Sequence, residues 1–275
     1  SARKATMAAA KADPRVLPKK ENDLFKSIAK HYETKQYKKG IKAADQILKK
    51  FPNHGETQAM KGLVLNCLEK KTEAYDLVKL ALRNDMKSHV CWHVYGLLHR
   101  SDNNYLQAIK SYKQALKIEE DNAQILRDLS LLQVQMRDLK GFVETRSKLL
   151  QQKPSHKNNW MALAVANQMA GQNKQAISVV DAFIGTQDVK ARTRDYDESE
   201  LMLYRADLLK EDGQLDEAIA HLEAHQSFVV DQLSWKMKMA ELTLSLGMFG
   251  KGNRPRPPPP SALLLSPARK SGFAF

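Results

Sequence analysis

The sequence predicts an all-α fold, a right-handed superhelical solenoid built from helix–turn–helix units. Three observations predict it. A pattern of small and bulky residues returns every 34 residues, in one register, from residue 21 to residue 190. Within each unit apolar residues recur at helical spacing, and no stretch sustains period-two alternation between turn signals. Pro52, Pro154 and Gly171 fall at the junctions and turns of the units, where the helices should stop.

The register is set on the unit 89–122, with Gly96 at position 8. Trp92 then holds position 4, Tyr95 position 7, Ala108 position 20, Tyr112 position 24 and Ala115 position 27. One unit earlier, Gly62, Ala74 and Ala81 fill positions 8, 20 and 27. Two units later, Trp160, Leu163, Ala164 and Ala176 fill 4, 7, 8 and 20. Position 32 is Pro52 in the unit 21–54 and Pro154 in 123–156. This spacing resembles the tetratricopeptide pattern, in which small residues sit where neighbouring helices approach most closely and bulky ones fill the remaining space. The unit 123–156 departs from it, with Ser130 at position 8 and Phe142 at position 20, but Leu126, Leu129, Leu132 and Leu149 keep the helical spacing.

After residue 190 the register slips by eight residues. A sixth unit fits 199–232, with Ala206 and Ala218 at positions 8 and 20, so the polar stretch Gly185–Ser199 reads as a longer loop. A seventh first helix starts near Ser234, with Ala240 at position 8. The organisation expected is a basic flexible segment over 1–18, the repeat array over 19–249 (units about 21–54, 55–88, 89–122, 123–156, 157–190, 199–232 and a partial 233–249), and a proline-rich disordered tail over 250–275. Pro257–Pro260 in the tail forbids helix. The break after Phe249 reads as a truncated or alternatively spliced product or a misread frame, with a polyproline ligand segment as the functional alternative. Ser1 precedes Met7-Ala8-Ala9, and Met7 reads as the true start. The opening residues have no apolar core, so they are not a secretory signal. No apolar run approaches the ~18 residues of a membrane span. Cys67 and Cys91 read as structural thiols of a reducing compartment.

Net charge is +13, and its placement is informative. Residues 1–54 carry 14 Lys/Arg against 5 Asp/Glu, residues 55–249 carry 25 against 26, and residues 250–275 carry 5 against none. On a helical wheel Lys38, Lys42 and Lys49 share one face of the first unit's second helix, and Lys35 joins them if it is helical. Lys26 and Lys30 project from the first helix, opposite Leu24, Phe25, Ile28 and Tyr32. Lys19 and Lys20 read as preceding that helix, with Asn22 and Asp23 as N-cap candidates. An ammonium-lined face of this kind suits a phosphate backbone, through salt-sensitive counterion release. Lysine gives point charges rather than base readout, and no aromatic platform accompanies it. The expected polyanion is therefore RNA bound without sequence preference, ahead of membrane headgroups.

Catalytic and metal constellations do not assemble. Gln168 to Asn173 brushes against a pyrophosphate-gripping acetyl-CoA loop but lacks the final small residue and a preceding strand; Gly171 at position 15 is a turn residue. His89 and His93 lie at i, i+4 without the Glu of a His-Glu-x-x-His motif, beside the core residues Trp92 and Tyr95. No metal or cofactor is expected on the chain. Ala59, Leu63 and Val94 stand where a carboxylate-gripping repeat carries Lys and Asn.

Four segments go beyond the repeat consensus: Leu17 to Lys26; His54 to Leu68; Leu82 to Asp85 with Lys87 to Leu98; and Gln124 to Gln133 with Gln135 to Leu139. They resemble the amino-terminal part of the large auxiliary subunit of the NatA amino-terminal acetyltransferase complex, from about Leu17 to Met248. The resemblance implies a non-catalytic scaffold that wraps a GNAT-fold catalytic subunit and anchors it at the ribosome, near the exit tunnel. The complex acetylates nascent chains after removal of the initiator Met. Acetyl-CoA is then used by the partner, not by this chain, and the location is cytoplasmic and ribosome-associated. The lysines of the first unit match the family's electropositive amino-terminal region in place and character. Family members are far longer, with the catalytic-subunit cradle mostly in later repeats. The competing reading is a generic adaptor that binds a peptide in the superhelix groove.

Overall fold

The computed structural model describes residues 16–186 and 196–249. Residues 1–15, 187–195 and 250–275, with Met7, most of the predicted loop and the proline-rich tail, lie outside them. Among the described residues there are thirteen α-helices and no strand: α1 (Lys19–Glu33), α2 (Tyr37–Leu48), α3 (Gly55–Cys67), α4 (Lys71–Asn84), α5 (His89–Ser101), α6 (Tyr105–Ile118), α7 (Ala123–Gln135), α8 (Leu139–Gln152), α9 (Lys157–Met169), α10 (Asn173–Thr186), α11 (Tyr196–Glu211), α12 (Leu215–Ala224) and α13 (Gln232–Phe249). The structure forms two compact units, one ending at Gln152 and one starting at Lys153. The first holds α1–α8 as four hairpins; the second holds two hairpins, α9–α10 and α11–α12, and then α13.

The 34-residue register is written into the backbone. Lys35, Glu69, Asn103 and Arg137 all adopt left-handed φ near 60°, and Gly171 follows at φ 72°. Each lies 34 residues after the last, at position 15, in the tight turn between the two helices of a hairpin. Gly213, at φ 81°, comes 42 residues after Gly171, which is one repeat plus the eight-residue slip. Only two of these six turns use glycine; the other four hold a side chain in a region that disfavours it.

Three of the first helices, α3, α5 and α7, are capped by the side chain at position 34. Ser88 Oγ accepts from the Cys91 amide and Asn122 Oδ1 from the Ile125 amide, while His54 Nδ1 accepts from Thr57. In three units position 4 ties the unit to the turn before it. Gln58 Nε2 donates to Pro52 O, Trp92 Nε1 to Met86 O and Trp160 Nε1 to Pro154 O, at 2.7–2.9 Å. The two tryptophans are half-buried and act as hydrogen-bond donors as well as packing residues.

The small residues meet helix backbones as the register requires. Ala74, Ala81, Ala108, Ala115, Ala164, Ala176 and Ala218 are wholly buried, Ala206 nearly so, and Gly62 and Gly96 are buried in α3 and α5. A Cβ on Gly96 would stand 2.4 Å from Cε1 of the buried Tyr112, and one on Gly62 2.5 Å from Cγ2 of Val78. Where α8 carries Phe142 instead of a small residue, its ring is buried under the Arg146 guanidinium, 5.3 Å from the centroid.

Three expectations are corrected. Lys19 and Lys20 are the first turn of α1, not its lead-in, and Pro18 occupies the N-cap without a side-chain bond; proline's fixed φ suits a helix entrance. Lys35 is not helical, because position 15 is the turn. The predicted loop Gly185–Ser199 is shorter, since α10 runs to Thr186 and α11 starts at Tyr196, where Asp197 and Glu198 favour a helix N-terminus.

Candidate polyanion-binding face

On α2 the apolar arc Ala43, Ala44 and Ile47 is buried against Ile28 and Val64, which turns Lys38, Lys42 and Lys49 outward. All three are exposed. The one acid on that helix, Asp45, is held by Lys61 of α3 at 2.6 Å, so no free carboxylate on α2 neutralises them. Lys50 is engaged: its Nζ lies 2.7 Å from Glu21 Oε1 and holds that carboxyl below the usual range. Lys26 and Lys30 are exposed on α1, and Lys35 is exposed in the turn. The structure therefore brings Lys38, Lys42 and Lys49 together on one helix face; Lys26 and Lys30 form a separate pair on α1, and Lys35 belongs to neither helix. None of the six has an ion pair with any described residue.

The face extends further than the first unit, which sequence reasoning missed. Position 29 is Lys49 at the C-cap of α2, Arg83 on α4 and Lys117 on α6, and position 25 adds Lys79 and Lys113; all are exposed. None of these side chains is ion-paired among the described residues. The near-neutral total for residues 55–249 hid this, because a total does not show where the charges lie, and several acids there face partners away from this row. Glu73 pairs with Lys70, Asp102 with Lys71, Glu119 with His89, and Asp128 with His93 and Arg100. The signal was available in the same 34-residue register that revealed the repeats. Asp76 and Glu120 interrupt the face and keep it from being uniformly basic.

The remaining candidates resolve structurally. His89 Nε2 turns to Glu119 at 2.9 Å, while His93 Nε2 turns to Asp128 at 2.9 Å, so the two imidazoles do not converge. Burial opposes ionisation of Asp128, yet the His93 hydrogen bond and the Arg100 charge hold its carboxyl below the usual range. Gln168 accepts from the Tyr204 hydroxyl and donates to Glu211, linking α9 to α11. Cys67 and Cys91 are free thiols, and burial pushes Cys91 up to about 12. No helix among the described residues is long and apolar enough to cross a membrane.

Residues 25–254 match the family model described as Psidin, N-terminal TPR repeats region. The chain belongs to this family. Its curated relatives include proteins named as NatA auxiliary subunits. An Arabidopsis thaliana N-terminal acetyltransferase A complex auxiliary subunit NAA15 is 52% identical over 86% of this chain and 27% of its own length. A Homo sapiens N-alpha-acetyltransferase 16, NatA auxiliary subunit, is 50% identical over 84% of this chain and 27% of its own. The chain thus spans about a quarter of the length of the curated relatives it matches. A structure of Naa15/Naa10 bound to HypK-THB superposes with a TM-score of 0.72 at 42% identity, covering 83% of this chain and 34% of that one. The tetratricopeptide architecture and the kinship with the amino-terminal part of NatA auxiliary subunits both stand on these matches.

Proposed function

We propose that this chain works as a non-catalytic auxiliary part of a NatA complex, supporting cotranslational acetylation of protein amino-termini and anchoring the complex to the ribosome. The kinship with NatA auxiliary subunits supports the first half. The observation that carries the second is the set of unpaired, exposed lysines on α2, continued by Arg83 and Lys117. Such a row presents point charges to a phosphate backbone and offers nothing for reading bases, which fits ribosomal RNA near the exit tunnel. The chain's partners on this reading are a GNAT-fold catalytic subunit, which uses acetyl-CoA, and the ribosome, in the cytoplasm.

The test is charge reversal on the outward face. Lys38→Glu, Lys42→Glu and Lys49→Glu together are expected to reduce co-sedimentation with ribosomes while leaving the helical signal and melting temperature unchanged, since none touches the apolar arc. Unchanged sedimentation of the folded triple variant would remove this face from the interface.

A further inference from the structure

The first compact unit contains a groove of about 280 Å³ that the polyanion face does not explain. Lys113, Leu116 and Lys117 of α6 form one wall, and Glu144, Thr145 and Lys148 of α8 the other; Leu126, Leu129 and Gln133 of α7 form the floor. Gln133 is 2% exposed, and its Oε1 is buried without a hydrogen-bond partner. A buried amide oxygen left without a partner costs about 1–3 kcal/mol. Gly141 makes room for this carboxamide and for the Asp138 carboxylate, for a Cβ there would lie 2.5 Å from both Gln133 Nε2 and Asp138 Oδ2. The hydroxyl of Thr145, 5% exposed, also makes no hydrogen bond with any described residue.

A carboxamide with both its donor and its acceptor unused is the complement of one peptide group, whose C=O takes the N–H and whose N–H meets the Oε1. The leucines beside it offer an apolar seat. The ammonium groups of Lys113, Lys117 and Lys148 outnumber the carboxylates of Glu120 and Glu144 at the rim, and none of the five is ion-paired among the described residues. We propose that the groove between α6 and α8 binds a short extended peptide with alternating acidic and aliphatic side chains, its main-chain amide held by Gln133. The chain's own residues 250–275 carry no Asp or Glu, so they lack the charge that this rim selects, and the occupant is a segment of another protein.

The probe is the capped peptide acetyl-Glu-Leu-Asp-Leu-amide, titrated into the isotopically labelled 275-residue chain and followed by amide NMR. Saturable shifts of the Gln133 side-chain resonances and of Thr145 are expected. Gln133→Met keeps the volume and deletes the amide, so it should weaken binding about tenfold or more without lowering the melting temperature. Lys113→Glu, on the rim, should weaken binding while leaving Gln133 in place. Three results would overturn the proposal: no saturable shift up to millimolar peptide, equal binding by Gln133→Met, or perturbation of Gln133 by a uridine oligonucleotide but not by the peptide.

Discussion

Replacing Gly96 with alanine tests the repeat packing at its tightest point. The new Cβ would stand 2.4 and 2.5 Å from Cε1 and Cδ1 of Tyr112 and 3.3 Å from the Ala108 carbonyl oxygen. Carbon atoms in comfortable contact are about 3.5–4.0 Å apart, so the overlap exceeds 1 Å. Tyr112 is wholly buried, so its ring cannot swing out to solvent, and relief of the overlap strains the α5–α6 contact. Overpacking of this kind costs about 1–3 kcal/mol. Alanine's better helix propensity returns at most about 1 kcal/mol. The net expectation is destabilisation by about 1–2 kcal/mol. Gly185, in α10, is the internal control. A Cβ there meets no described residue within 4 Å, so Gly185→Ala should stabilise by about 0.5–1 kcal/mol. Urea unfolding followed by circular dichroism reads both. If Gly96→Ala unfolds at the same or a higher urea concentration than the unmodified chain, the close approach of α5 and α6 at position 8 is wrong.

Other expectations follow from the turns, a buried imidazole and the basic row. Arg137 holds φ 58°, so Arg137→Gly should stabilise by about 1 kcal/mol. Gly171→Ala, with φ 72° and open space around it, should destabilise by a similar amount in the same urea assay. Burial, with the neighbouring Arg205 charge adding to it, pushes His221 down to about 4. The unfolded chain therefore takes up a proton first as pH falls. This contribution, of order 3 kcal/mol, is full above about pH 6.5 and is lost progressively towards pH 4. His221→Gln should flatten the decline in unfolding midpoint between pH 7 and 4.5. Replacing Lys49, Arg83 and Lys117 with Gln should lower the salt slope of ribosome binding by about one per residue; an unchanged slope would confine the contact to α2.

Much of the fold was legible because packing at a helix–helix contact tolerates few residue types. Gly62, Gly96 and the alanines at positions 20 and 27 announce their places by size alone. The turns were less legible. Lys35, Glu69 and Arg137 are ordinary residues forced into the left-handed region by the hairpin, and only Asn103, Gly171 and Gly213 advertise it. Lys35 was misplaced for that reason. The hydrogen bonds from Gln58, Trp92 and Trp160 to the carbonyl six residues back are invisible to size patterning, since they need the turn built first. The basic face was half legible. Lys38, Lys42 and Lys49 emerge from one helical wheel, but whether Arg83 and Lys117 stay free depends on where distant acids such as Asp102 and Asp128 find partners. The Gln133 groove leaves no trace in sequence, because a buried amide becomes conspicuous only when its neighbours are known to leave it unpaired.

The central claim is that the outward lysines of the first unit hold a phosphate backbone. Binding of the 275-residue chain to purified ribosomes, measured across a salt series, tests it most directly. Three lysines on α2 alone, at about 0.7–0.9 per phosphate, predict a slope of log affinity against log salt of at least about −2, steeper if Arg83 and Lys117 take part. Binding that is insensitive to salt, or no binding at low salt, would contradict the account.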